Sequence, residues 1–235
     1  MTADLLPLRE RKKLKTRAAL VDTALALFTE RGFDQVTLDE LCAEVEVSKR
    51  TFFRNFASKE EVASAPLEAL WTALLDDVEH APLGGRPVLE VLQEAMLAAV
   101  RRMSAEGPEW VARVRLSQQL SQRTPSITAH GLQFCDRTSA AFETTLRRRL
   151  GLGDRDHRPR LALDLLVAAF HAALRGWTTA SPDPTLDDLL TELRTVFAAT
   201  PAAATFTGDE PSQPMPNGRC STSSTPTKPR PWNTG

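Results

Sequence analysis

TLDELCAEVEVSKRTFFRNFASKEE, residues 37–61, is the stretch that decides the fold of this chain. It holds three helix starts in succession. Thr37 with Glu40, and Ser58 with Glu61, fit the capping box: a hydroxyl accepts the N–H three residues on, and the carboxylate reaches back to the cap's own N–H. Between them, Ser48 is a lone N-cap for a short helix opening Lys49-Arg50-Thr51. Leu38, Leu41, Cys42 and Val45 fall on one face of the preceding helix at helical spacing. Phe52 and Phe56, four apart, share the inner face of the short helix, which turns Lys49, Arg50, Phe53 and Arg54 outward. A helix that begins with two cations and a hydroxyl right after a tight turn can enter a major groove and set long donors against base edges. A capped surface helix pair with a solvated charged edge would show some of these signals. Turn, caps, aromatic spacing and basic first turn together point to a helix-turn-helix that reads double-stranded DNA.

The segment before it supplies charge. Arg9, Arg11, Lys12, Lys13, Lys15 and Arg17 are opposed across that span by Glu10 alone, while the whole chain carries a formal charge of -1. One basic end on a near-neutral protein suits a local phosphate contact rather than a general nucleic-acid coat, and Lys13 is assigned to it. Residues 1–10 read as a flexible basic leader. From Leu14 onward Leu20, Ala24, Leu27 and Phe28 form an apolar stripe, and Gly32 stops the helix.

Over residues 12–64 the sequence resembles the TetR family of bacterial transcription regulators. The likeness rests on the run Ala24 to Phe33, on Val36-Thr37-Leu38, on Val47 to Phe56, and on Ser58-Lys59-Glu60-Glu61. It implies a homodimer, with a three-helix reader in each subunit joined to a larger helical effector and dimer domain. It also implies that Lys49, Arg50 and Thr51 approach bases, while Thr37, Ser48, Phe53, Asn55 and Lys59 touch phosphates; Arg54 joins them as an outward cation. Lys49 and Arg50 can donate to guanine edges, and Thr51 can meet a base or a thymine methyl. Three positions depart from the family pattern: Glu46 stands where a turn glycine is usual, Phe53 where Tyr is frequent, and Asn55 where an aromatic residue or His is frequent. If the backbone at Glu46 takes positive φ, that residue is strained.

At 235 residues the chain is long enough for a reader of residues 11–64 and a second helical domain of residues 65–199. Prolines and glycines divide the second domain into helices over 67–78, 88–104, 107–122, 127–150, 160–179 and 186–199, with no alternating β-branched run. The fold class is all-α. No apolar run approaches the roughly 20 residues of a membrane span and no apolar signal region follows the basic start, so a cytoplasmic protein without membrane contact is expected. Cys42, Cys135 and Cys220 lack metal-ligand spacing, and Cys42 and Cys135 read as core thiols rather than sensors. Neither a phosphate loop, nor a nucleophile elbow, nor a His/Glu metal motif is present, so no enzyme, metal or cofactor is expected. Residues 200–235, rich in Pro, Ser and Thr, read as a disordered tail.

In the second domain Leu161, Leu165, Ala168, Ala169, Ala172, Ala173 and Gly176 form a small-residue face, with Phe170, Leu174 and Trp177 as bulk. Packing against a symmetric copy would place it at a homodimer interface; it would serve equally as a helix central to its own domain. Trp71, Met96, Val100, Met103, Trp110, Val114 and Phe134, with Gln118, His130 and His171, are candidates for lining an effector pocket. The same apolar residues at helical spacing also suit plain core. The expected function is a homodimeric repressor of a palindromic operator, released by a small organic molecule. The alternative is an architectural or interaction module that binds DNA without ligand control; replacement of Lys49, Arg50 and Thr51 tells the two apart.

Overall fold

The computed structural model describes residues 7–107, 109–203 and 205, and its elements there are all helical. The reader is built from α1 (Leu8–Arg31), α2 (Leu38–Glu44) and α3 (Lys49–Phe53). The larger unit follows with α4 (Lys59–His80), α5 (Val88–Glu106), α6 (Glu109–Arg123), α7 (Pro125–Leu150), α8 (Arg158–Ala180) and α9 (Leu186–Ala203).

Each boundary has a local cause. α1 begins after Pro7, earlier than expected, so residues 8–10 of the predicted leader are helical; residues 1–6 lie outside the described part. It ends at Gly32, whose φ of 89° is open to glycine and whose N–H donates to the Phe28 carbonyl. Ser58 caps α4, which runs unbroken through the expected boundary at residue 64. Pro66 lies inside it and is buried; its ring removes one backbone donor without ending the helix, because the apolar face on both sides is packed. Pro125 and Pro159 sit in the first turns of α7 and α8, where an N–H is unpaired in any case. Gly151, in the left-handed region at φ 64°, closes α7. α9 continues to Ala203 with Pro201 inside it, and Thr200 is buried, so residues 200–203 are helix rather than tail. The rest of the expected tail, apart from Thr205, lies outside the described residues.

Two apolar cores result. The reader's core joins Leu20, Ala24, Leu25, Phe28, Phe33, Leu41, Phe52 and Phe56, and it also takes in Leu120 of α6 and Ile127 of α7. The second core is organised around Trp71 of α4, which meets Phe142 of α7 and Phe170 of α8 edge-on at ring-centre distances of 6.3 and 5.2 Å. Trp177 is buried in it and donates its indole N–H to the Thr185 carbonyl at 2.9 Å, fixing α8 to the start of α9.

α8 bears on two expectations. Among the described residues it is one helix long and apolar enough to cross a membrane. One of its faces, however, carries Leu163, Leu166, Phe170 and Leu174 inside the domain core. Of the predicted interface, Ala169, Ala173 and Trp177 are turned into that same core. A Cβ on Gly176 would meet the movable Glu192 carboxylate of α9, so α9 passes close by this position. Ala172 is half-buried, whereas Leu161 and Leu165 face outward at 59% and 42% exposure. The small residues run around α8 on more than one side, and periodicity alone did not choose the inner one.

Candidate nucleic-acid interface

The reader's geometry starts from its caps. Thr37 Oγ1 accepts the Glu40 N–H at 3.2 Å, and Glu40 Oε2 accepts the Thr37 N–H at 2.8 Å, a complete capping box. Thr37's hydroxyl also donates to that carboxylate at 2.8 Å. Thr37's N–H and hydroxyl, then Arg31, hold the Glu40 carboxyl down at about 2. Ser58 accepts the Glu61 N–H at 3.2 Å, but Glu61's carboxylate reaches past Ser58 to the Ala57 N–H at 2.5 Å. The second expected box is therefore closed one residue further back.

The turn between α2 and α3 holds Glu46 at φ 55°, the one non-glycine residue with positive φ among those described. The Glu46 N–H donates to the Ala43 carbonyl and the Val47 N–H to that of Cys42, which bends the chain sharply enough to project α3. Ser48 caps α3 by accepting the Thr51 N–H at 3.2 Å. Phe52 and Phe56 are buried, and the ring of Phe53 stands out at 56% exposure, edge-on to Phe52. Lys49, Arg50 and Arg54 are exposed as anticipated. Lys49 pairs with Asp39 of α2 at 2.8 Å; Arg50 and Arg54 have no ion pair among the described residues.

A groove of about 480 Å³ runs between the start of α1 and α3, lined by Arg9, Lys12, Lys13, Thr16, Thr51 and Arg54 with Glu10 and Asn55. It brings together Lys13, Thr51, Arg54 and Asn55, four of the residues assigned to DNA. Four phosphate assignments meet competing bonds. Lys59 turns inward, donating to the carbonyls of Phe33 at 2.9 Å and Val36 at 2.7 Å, with its ammonium 4.5 Å from the Phe33 ring centre. Asn55 donates its amide to the Thr51 carbonyl at 2.8 Å, and its Oδ1 is buried. Thr37's donors both go to Glu40, and Ser48's hydroxyl shares a 3.1 Å contact with Thr51 Oγ1, so phosphate must displace these partners. Phe53 offers a ring and no side-chain donor. Sequence reading also missed Arg17 as a clamp: its guanidinium donates to the Asn55 carbonyl at 2.5 Å and lies 4.1 Å from the Phe56 ring centre, tying α1 to the residues that follow α3.

The residues expected to line an effector pocket divide between the closed core and the wall of a cavity. Met96, Val100, Trp110 and Val114 are closed core, and Met103 packs against it. A cavity of about 310 Å³ instead opens between α4, α6, α7 and α8, with Trp71, Phe134, Gln118 and His171 of the candidates on its walls. Ser117 lines it with a fully buried hydroxyl that has no partner among the described residues. Glu68, another wall residue, is bonded to His130 Nε2 at 2.8 Å, and burial pushes its carboxyl above the usual range. Burial, aided by Arg175, lowers the His171 imidazole, and burial raises the Cys135 thiol, which disfavours a reactive thiolate. A carboxylate among Leu67, Leu70 and Trp71 was a signal in the sequence that could have marked the cavity. Ile127 lines this cavity and belongs to the reader's core as well.

Comparison with known proteins agrees with this architecture. Residues 20–65 match the profile of bacterial regulatory proteins of the tetR family, and residues 86–201 match the MftR C-terminal domain. The HTH-type transcriptional regulator TcmR of Streptomyces glaucescens is 34% identical over 173 residues, 72% of this chain and 76% of that protein. A solved regulator from Syntrophomonas wolfei, assigned to the TetR family, superposes with a TM-score of 0.55 at 16% identity, over 82% of this chain and 96% of its own. SmeT, repressor of the Stenotrophomonas maltophilia efflux pump SmeDEF, gives 0.50 at 23% identity, over 85% of this chain and 97% of its own. With its basic reader helix, its all-helical second unit and these likenesses, the chain belongs to the TetR family of transcription regulators and is not an enzyme.

Proposed function

We propose that this regulator is a cytoplasmic homodimer that represses transcription from a palindromic operator and leaves it when a small organic molecule fills the cavity between α4, α6, α7 and α8. Ile127 carries the reading. Its side chain is wall to the cavity on one side and core to the reader on the other, and Leu120 of the same α6–α7 corner packs beside it. A ligand that displaces this corner moves the reader, and a changed reader spacing weakens dimeric operator binding. The outward Leu161 and Leu165 of α8 supply an apolar edge on which two copies associate. Arg50 with Lys49 reads guanine edges, Thr51 reads beside them, and Lys13 with Arg54 holds phosphate.

Selection of genomic fragments by the full-length protein at near-physiological salt, beside a Lys49→Ala/Arg50→Ala variant, tests this. The expected outcome is a palindromic motif that only the unaltered protein enriches. Equal, motif-free recovery by both overturns it and favours a DNA-binding module without sequence preference.

A further inference from the structure

Asp39 stands in the first turn of α2, two residues from Thr37 and 2.8 Å from the ammonium of Lys49, the first residue of the recognition helix. Its carboxylate is 74% exposed and Lys49's side chain 52%, so the pair faces solvent on the side that α3 presents. Glu40, beside it, is fully occupied by Thr37 and Arg31. Asp39 makes no bond to a backbone N–H among the described residues, so its one visible partner is Lys49. A bare carboxylate within a DNA footprint repels phosphate, and the fold tolerates one here against a cation assigned to a base.

We infer that Asp39 is a specificity-determining residue, which neutralises Lys49 on non-cognate DNA and releases it only to a guanine edge. An exposed ion pair is weaker than a bidentate base contact, so a guanine edge breaks it. A single phosphate, met in any sequence, gives Lys49 a smaller return, and there the pair persists. Lys49 then adds little to counterion release on random DNA. On the operator the released carboxylate accepts from a cytosine N4 amino group beside the guanine, which offsets the broken pair; a scrambled duplex lacks that arrangement. Asp39 is thus a positioning residue that widens the gap between operator and random duplex.

This inference rests on Lys49 reading bases. Its test measures the affinity of full-length Asp39→Asn for the selected operator and for a scrambled duplex across a salt series, beside Lys49→Ala and the double variant. Asp39→Asn is expected to tighten the scrambled duplex by about fivefold while changing operator affinity less than twofold. The salt slope on scrambled DNA should steepen by about 0.9 for each protomer. Both effects should vanish in the Lys49→Ala background. Equal tightening on both duplexes, or tightening that survives in Lys49→Ala, overturns the inference and leaves Asp39 a general repulsive charge. An unaltered protein that does not separate operator from scrambled DNA overturns base reading itself, a distinct result.

Discussion

Arg113 of α6 grips Asp22 of α1 with a paired hydrogen bond, Nε to Oδ1 at 2.5 Å and Nη2 to Oδ2 at 2.7 Å. The two residues are 91 apart in sequence, and no helix period relates them. The bond crosses from the second helical unit to the reader, and α6 also carries Leu120 into the reader's core. Arg113→Ala should lower stability by up to about 1 kcal/mol, as for a well-oriented exposed pair. It should also loosen the reader's orientation and weaken operator binding more than it weakens binding to random DNA. A swapped pair, Asp22→Arg with Arg113→Asp, should recover part of both losses in urea unfolding and operator titration. No recovery would reduce the contact to incidental surface pairing.

Glu46 marks the turn's strain. A side chain in the left-handed region costs about 1–2 kcal/mol, and glycine returns about 0.5–1 kcal/mol of that through its looser unfolded chain. Glu46→Gly should therefore raise stability by about 0.5–1 kcal/mol, with α3 unmoved, as read by urea unfolding. A destabilised variant would show that the Glu46 side chain contributes something that its φ does not reveal.

Lys59 illustrates why the reader was only partly legible. Its caps were readable, because Thr37, Ser48 and Ser58 act over three residues, and Glu46 needed only its place in the turn. The partners of Lys59 are carbonyls 26 and 23 residues away, exposed by a loop whose path depends on packing. The same holds for Arg17 with Asn55, and for the cavity, which exists only where four helices meet. Lys59→Met should cost about 1.5–3 kcal/mol through two carbonyls left without their charged donor, and should barely change the salt slope of DNA binding. Arg54→Ala should do the reverse, reducing the slope by about 0.9 for each protomer at little cost in stability. A slope change with Lys59→Met would restore it to the phosphate contacts.

Glu40 makes the reader acid-sensitive. Its carboxyl ordinarily titrates at 4.5 and is held at about 2 in the fold, so the unfolded chain binds the proton first. The stability that Glu40 contributes is complete above 4.5 and is lost as pH falls through about 2. Asp156, also held at about 2 by Arg158, acts in the same window, so the measurement must be a difference. Stability against pH for the protein and for Glu40→Gln should diverge at neutral pH and converge at acid pH. Parallel curves would mean that the capping box contributes nothing through its charge.

Ser117 gives the cavity a test that needs no ligand. Its hydroxyl is fully buried and has no partner among the described residues, and a buried polar group in that state costs about 1–3 kcal/mol. Ser117→Ala removes the hydroxyl, adds helix propensity, and leaves the Trp71 and Phe170 walls in place. In the ligand-free protein it should raise stability by about 1 kcal/mol and leave operator affinity unchanged. When an effector is identified through the genes beside the operator, the same variant should release DNA only at several-fold higher effector concentration, because the lost hydroxyl was its partner. Stability gained with effector response unaltered would place the hydroxyl in the cavity wall without a part in recognition. Stability lost would mean that the hydroxyl already has a partner in the unliganded protein, and that the cavity's buried wall is satisfied before any ligand arrives.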